Sequence, residues 1–206
     1  MNVEIRAGDL FCTRCPASLG RAINTVQAIV SRDGKSYYSH AGILIDHKGT
    51  TFEAIGWRIK RQNLFEAYVG QEVLIARWQG MTQIIFDRVF ETLRKDEGKI
   101  YPGWRLPLNI VPFIGKYTSF GKRFLVCSEE VGKFLYLVFQ DYGFVSRGGY
   151  CWPRHKWYTG TSPDTLADEW HRWKQYIIVY EGRLPDRKEW MPEHKIIDGE
   201  MTVLTG

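Results

Sequence analysis

The chain has 206 residues, 44% of them apolar and 25% charged, with no low-complexity tract or internal repeat, which is enough for one sizeable core and reads as a single domain over 1–206. Its net charge of +5 comes from 28 basic and 23 acidic residues spread along the length; no dense block marks it for nucleic acid, although the surface could still meet an anionic lipid or wall polymer. No run approaches the roughly 18 apolar residues of a membrane span, Met1 to Arg6 lacks a signal-peptide pattern, and four cysteines suit reduced thiols better than a disulfide framework. The expected location is the cytoplasm, with export that needs no cleaved signal left open.

In chain order, Asp9 to Thr13 reads as a strand, and Ala22, Ile23, Val26 and Val30 form the apolar stripe of a helix from about Leu19 to Val30. Ser39 to Asp46 and Thr50 to Ile55 alternate small or polar with apolar side chains around a His47-Lys48-Gly49 turn, the pattern of a hairpin. Val73 to Trp78 is another strand, and Thr82 to Lys95 an amphipathic helix with Ile85, Val89 and Leu93 inward. After the Pro- and Gly-containing stretch from Tyr101 to Gly121 comes a helix from Cys127 to about Gln140. Ser162 and Pro163 are the cap and first residue of a short helix, Gln175 to Tyr180 is a closing strand, and 183–206 is polar enough for a peripheral tail. Strands with helices beside them, without regular alternation, predict an α+β fold.

The Cys127 helix carries the first chemical signal. Val131, Phe134, Leu135 and Val138 recur at helical spacing from Cys127, so the sulfur stands at the top of the helix on its inward side. Free amides and the positive end of the helix dipole stabilise a thiolate there. The hairpin carries the second. An even loop makes Asp46 meet Gly49 and sets Gly42 opposite Glu53. His40 and Glu53 are then diagonal neighbours on one face, about 7–8 Å apart at the backbone. An odd loop would place them on opposite faces. Cys127, His40 and Glu53 are the three types that nucleophilic catalysis needs: a sulfur, its base, and a group that orients the base.

The ordered set Gly8-Asp9-Leu10, His40-Ala41-Gly42, Glu53 and Cys127-Ser128-Glu129 resembles the permuted branch of the NlpC-type, papain-like cysteine hydrolases, in particular its YiiX-like members, with lecithin:retinol acyltransferase-like proteins as relatives. The resemblance implies a circularly permuted papain-like fold in which an antiparallel sheet packs against helices including the nucleophile helix. It implies Cys127 as nucleophile, His40 as general base and acid, and Glu53 as orienter of the imidazole. Retinol acyltransferase-like relatives often carry histidine as the third residue, so Glu53 leans toward the hydrolases. Gly98-Lys99-Ile100-Tyr101 resembles a Gly-x-x-Tyr element that precedes the cysteine helix in such proteins; Pro102 follows where aspartate is common, which leaves Tyr101 as a wall of the site. Tyr101, Ser128 and Trp152 are the substrate-contact candidates.

Three functions compete. The first is an amide hydrolase acting through a thioester on a peptide or acylated small molecule, with cell-wall fragments as the class that the resemblance suggests. The second passes the same thioester from a lipid to another acceptor, for which Val111-Pro112-Phe113-Ile114 is the membrane-facing candidate. The third is a non-catalytic binding module on the same fold. The aromatic and basic residues between Tyr142 and Trp173 offer a substrate wall, but Trp170 and Trp173, in or beside a helix, read as packing residues. Cys12 and Cys15 with Cys151 and His155 have the types of a zinc site, but the halves lie far apart, and the expectation is no cofactor, with one of Cys12 and Cys15 buried and the other near the surface.

Overall fold

Asp46 starts the hairpin turn by accepting the N–H groups of Lys48 (2.8 Å) and Thr50 (2.9 Å) on one carboxylate oxygen, and Gly49 completes it at φ +86°, a conformation that a side chain would resist. Ile45 then donates to the Thr50 carbonyl at 2.8 Å. Strand β2 (His40–Leu44) therefore pairs with β3 (Thr50–Ile55) through Ile43 with Phe52 and Leu44 with Thr51. This is the even register, and it puts His40 and Glu53 on one face.

In the computed structural model, residues 4–14, 36–55, 58–100, 127–141 and 162–190 are described, with helical positions at 21, 24, 25 and 28. Strands β1 (Leu10–Thr13), β4 (Arg58–Asn63), β5 (Glu72–Trp78) and β6 (Tyr176–Arg183) join the hairpin in one antiparallel sheet of order β4-β3-β2-β1-β5-β6. The four residues of β1 are buried, as expected for a strand paired on both edges and covered on both faces. Just before it, Gly8 turns the chain at φ +88°, and Asp9 takes a two-pronged grip from Arg77, Nε to Oδ1 at 2.7 Å and Nη2 to Oδ2 at 2.8 Å. The Gly-Asp-Leu motif thus serves to lock the start of β1 onto β5.

Strand β4 was not legible as a strand. Arg58, Lys60 and Arg61 are exposed and only Ile59 is buried, the pattern of a charged sheet edge. Its pairing with β3 nevertheless runs without a break from Thr50–Asn63 to Ile55–Arg58.

One face of the sheet, lined by Leu10, Cys12, Ala41, Ile43, Phe52 and Leu74, is covered by helices α2 (Gln83–Leu93), α3 (Cys127–Asp141) and α4 (Pro163–Arg172). Thr82 caps α2 by accepting the Ile85 N–H, and Ser162 caps α4, where Pro163 needs no partner. In α3 the stripe Val131, Phe134, Leu135 and Val138 is wholly buried. Trp170 is buried in α4 as a packing residue, and the half-buried Trp173 donates its indole N–H to Glu169.

The other face gathers Phe11, Leu44, Val73, Ile75 and Tyr180 with the short helix α1 (Leu64–Ala67), Tyr68 and the chain after β6. Here the peripheral tail needs correction at its beginning. Leu184 is buried, and Trp190, only 3% exposed at the end of helix α5 (Arg187–Trp190), stands edge-on to Tyr180 with ring centres 4.8 Å apart. Two apolar anchors amid a charged stretch gave no periodic signal; residues 191–206 lie outside the described ones.

Gly42 lets the two central strands approach the site. A Cβ there would sit 2.5 Å from the Phe11 ring and 3.0 Å from Glu53 Cβ. Gly42→Ala is expected to lower the free energy of unfolding in urea by about 1–3 kcal/mol; stability equal to the parent chain would mean that Phe11 moves aside freely.

Candidate active site

The even hairpin register brings the imidazole of His40 and the carboxylate of Glu53 into contact, Nε2 against Oε2. Glu53 is fully buried and stands among donors. Thr51, two residues back on the same strand face, donates its hydroxyl to Oε1, and Tyr68 donates its phenol to Oε2 beside His40. Gln62 Nε2 in turn donates to the Tyr68 oxygen at 3.0 Å. Burial alone would raise the carboxyl pKa, but the hydrogen bond and charge of His40, with the hydroxyls of Thr51 and Tyr68, outweigh it and hold Glu53 below its ordinary value. Burial and the Glu53 charge drive the Tyr68 phenol far the other way, so Tyr68 stays protonated and a donor.

Helix α3 supplies the sulfur. Cys127 is its first residue, 6% exposed, and it stands near enough to His40 to raise the pKa of the imidazole. Nε2 of His40 is taken by Glu53, which leaves Nδ1 as its second ring nitrogen. Burial disfavours a charged imidazole, yet Cys127 and then Glu53, each by charge and by hydrogen bond, push the His40 pKa up from 6.5 to about 10. The rings of Phe11 (centres 6.2 Å apart) and Tyr68 (5.8 Å) flank the imidazole. The imidazole bonded to a carboxylate thus stands in line with a sulfur near it, at the end of a helix whose first amides have no partner within the helix. Such an arrangement can move a proton from sulfur to ring and leave a nucleophile.

Two more acids follow in the first turn of α3. Glu129 and Glu130 are both buried, and among the described residues neither carboxylate oxygen of Glu130 has a hydrogen-bond partner. Burial pushes Glu130 up to about 8; Lys99 opposes this and Glu129 adds to it. Kept largely neutral at pH 7, Glu130 brings little extra negative charge near the sulfur. Asp96 is buried too, but paired with both Lys99 and Lys133, which ties the 3-10 turn Arg94–Asp96 to α3.

Ser128 lies beside Cys127 and is buried. Tyr101 and Trp152 lie outside the described residues, as do Val111–Ile114. The Gly-x-x part of the Tyr101 element extends the β4 edge: Gly98 donates to the Ile59 carbonyl at 2.8 Å, and Ile59 donates to the Lys99 carbonyl at 3.2 Å. Of the zinc set, Cys12 is buried and donates its thiol to the Pro163 carbonyl at 3.3 Å, with its pKa raised by burial; Cys15, Cys151 and His155 lie outside the described residues. Among the described residues no group of three or more His, Cys, Asp or Glu could hold a metal ion, and no helix is long and apolar enough to cross a membrane.

Sequence reasoning missed Thr51, Gln62 and Tyr68. Thr51 had a signal, since strand alternation puts it on the Glu53 face. Gln62 and Tyr68 had none, because β4 and the turn after α1 were not recognised.

No family model matches the chain, and no curated protein matches it. Among solved structures it is similar to the crystal structure of metalloprotein yiiX from Escherichia coli O157:H7, at 20% sequence identity and a TM-score of 0.47, over 67% of this chain and 66% of that one. The likeness therefore spans slightly less than two thirds of that protein's length.

The Glu130 carboxyl generates a pH prediction. Folding raises its pKa, so its contribution to stability is complete below the ordinary value of 4.5 and is lost as pH rises through about 8. From pH 5 to pH 8 the parent chain should lose roughly 3–4 kcal/mol more unfolding free energy than Glu130→Gln, measured by urea denaturation at each pH. Parallel profiles would show that Glu130 is ionised throughout.

Proposed function

We propose that the protein is a cysteine hydrolase of the permuted papain-like kind that cleaves an amide bond through Cys127, His40 and Glu53. The observation that carries this is the contact of the His40 imidazole with the buried Glu53 carboxylate, with Cys127 at the start of α3 near enough to raise the imidazole pKa. The order along the chain, with the histidine strand before the cysteine helix, agrees with the permuted arrangement.

His40 takes the proton of Cys127, and the thiolate attacks the carbonyl carbon of the substrate. The oxygen of the tetrahedral intermediate is held by backbone amides at the start of α3, including that of Ser128. The imidazolium gives its proton to the leaving nitrogen, the C–N bond breaks, and a thioester with Cys127 remains. Water, deprotonated by His40, then attacks the thioester; the acid leaves and the thiol is restored. Throughout, Glu53 stays ionised, keeps the ring in position and favours its protonated form. Peptides with unusual linkages, as in cell-wall fragments, are the substrate class assigned here.

A panel of muropeptides, acylated amino acids and phospholipids, offered to the parent chain and two variants, tests the assignment. Cys127→Ala should reduce turnover of a cleaved peptide by about three orders of magnitude or more with the fold intact, and Glu53→Gln by roughly 10²–10⁴. Turnover that survives Cys127→Ala would place the chemistry elsewhere, and cleavage confined to phospholipids would reassign the substrate.

A further inference from the structure

Glu53 is the least accessible member of the site, and its neighbours explain how it stays charged. A carboxylate with no exposure to water needs donors on both oxygens. Oε1 receives Thr51. Oε2 is shared between His40 and Tyr68, and the Tyr68 hydroxyl is itself held by Gln62. The groups facing Glu53 are His40 from β2, Thr51 from its own strand and Tyr68 from the segment after α1, with Cys127 of α3 beyond His40. Lys60, its cross-strand partner on β4, is exposed.

Tyr68 occupies a position that packing alone does not account for. Its ring belongs to the apolar cluster under the sheet, 5.6 Å from the centre of Phe11, and phenylalanine would fill that place equally well. The hydroxyl adds a donor to the one carboxylate oxygen that touches the imidazole. We infer that Tyr68 is a positioning residue for the reaction proposed above: its hydroxyl, steered by Gln62, keeps Glu53 ionised and aimed at His40, and so sets how acidic the solution can become before the Cys127–His40 pair is lost. The inference rests on the proposed hydrolase reading and extends it to a residue that acts through Glu53.

The sign follows from hydrogen bonding to the charged form. Removing a donor from an ionised carboxylate makes it easier to protonate. Once Glu53 is neutral the imidazolium loses its counter-charge and the proton returns to the sulfur. The acid limit of the reactive pair must therefore move to higher pH when the hydroxyl is removed. A purely structural defect would instead lower reactivity at every pH.

The test is the rate of Cys127 alkylation by limiting iodoacetamide from pH 4 to pH 9, with adducts mapped to each cysteine, in the parent chain, Tyr68→Phe and Gln62→Leu. The parent should keep a fast plateau into the acid range. Tyr68→Phe should move the acid limb up by about one pH unit, and Gln62→Leu should move it the same way by less. If Tyr68→Phe does not fold, Gln62→Leu decides alone. Limbs that coincide with the parent's, or a rate reduced equally at all pH values, overturn the role of Tyr68 and leave the hydrolase reading in place. If Cys127 in the parent reacts no faster than the other cysteines and shows no acid plateau, the hydrolase reading itself falls, and this inference with it.

Discussion

A carboxylate sealed from water is the constraint around which this protein is built. Glu53 has no exposure, and a lone charge in that position would cost several kcal/mol even after relaxation. It is tolerated because two hydroxyls and an imidazole converge on it. Each of those donors depends on a separate decision of the chain. Thr51 needs only strand alternation, His40 needs the even turn set by Asp46 and Gly49, and Tyr68 needs the return of the chain through β4 and α1. Gly42 completes the arrangement by leaving room for Phe11 opposite Glu53. A one-residue slip in the hairpin would reverse the face of every side chain and leave the charge without its ring partner.

Helix α3 meets this network end-on. Its buried stripe, Val131, Phe134, Leu135 and Val138, packs over the opposite sheet face, and the Asp96 pairings to Lys99 and Lys133 anchor it from the side. The helix cannot turn about its axis without exposing that stripe, so Cys127 is held at the end of β2, where His40 stands. Packing that serves stability thus also keeps the sulfur near the imidazole. The same first turn carries a cost, two buried acids, and the raised pKa of Glu130 limits how much negative charge it adds beside the sulfur.

Much of this was legible from residues alone because it follows short-range rules. The hairpin came from alternation about the His47-Lys48-Gly49 turn, with its even or odd register left for the structure to decide, the face of Cys127 from the spacing of four apolar residues, and the α4 start from Ser162 and Pro163. The parts that escaped reading depend on tertiary context. Arg58 to Asn63 is too charged to signal a strand and becomes one because β3 offers an open edge. Trp190 is anchored by Tyr180 and Phe65, partners distant in sequence or hidden by the charges around it. Tyr68 could not be placed at Glu53 without first knowing β4. Glu53 was legible as a partner of His40 for an even loop only, and of its other two donors Thr51 lies on a recognised element and Tyr68 does not.

The contact between His40 and its two neighbours can be observed directly by following the imidazole resonances of His40 with pH in isotope-labelled protein. In the parent chain the ring should remain protonated well above pH 8, in keeping with a pKa of about 10, and Cys127→Ala and Glu53→Gln should each bring the titration down. A ring that loses its proton near the ordinary value of 6.5, and does so identically in both variants, would contradict the account.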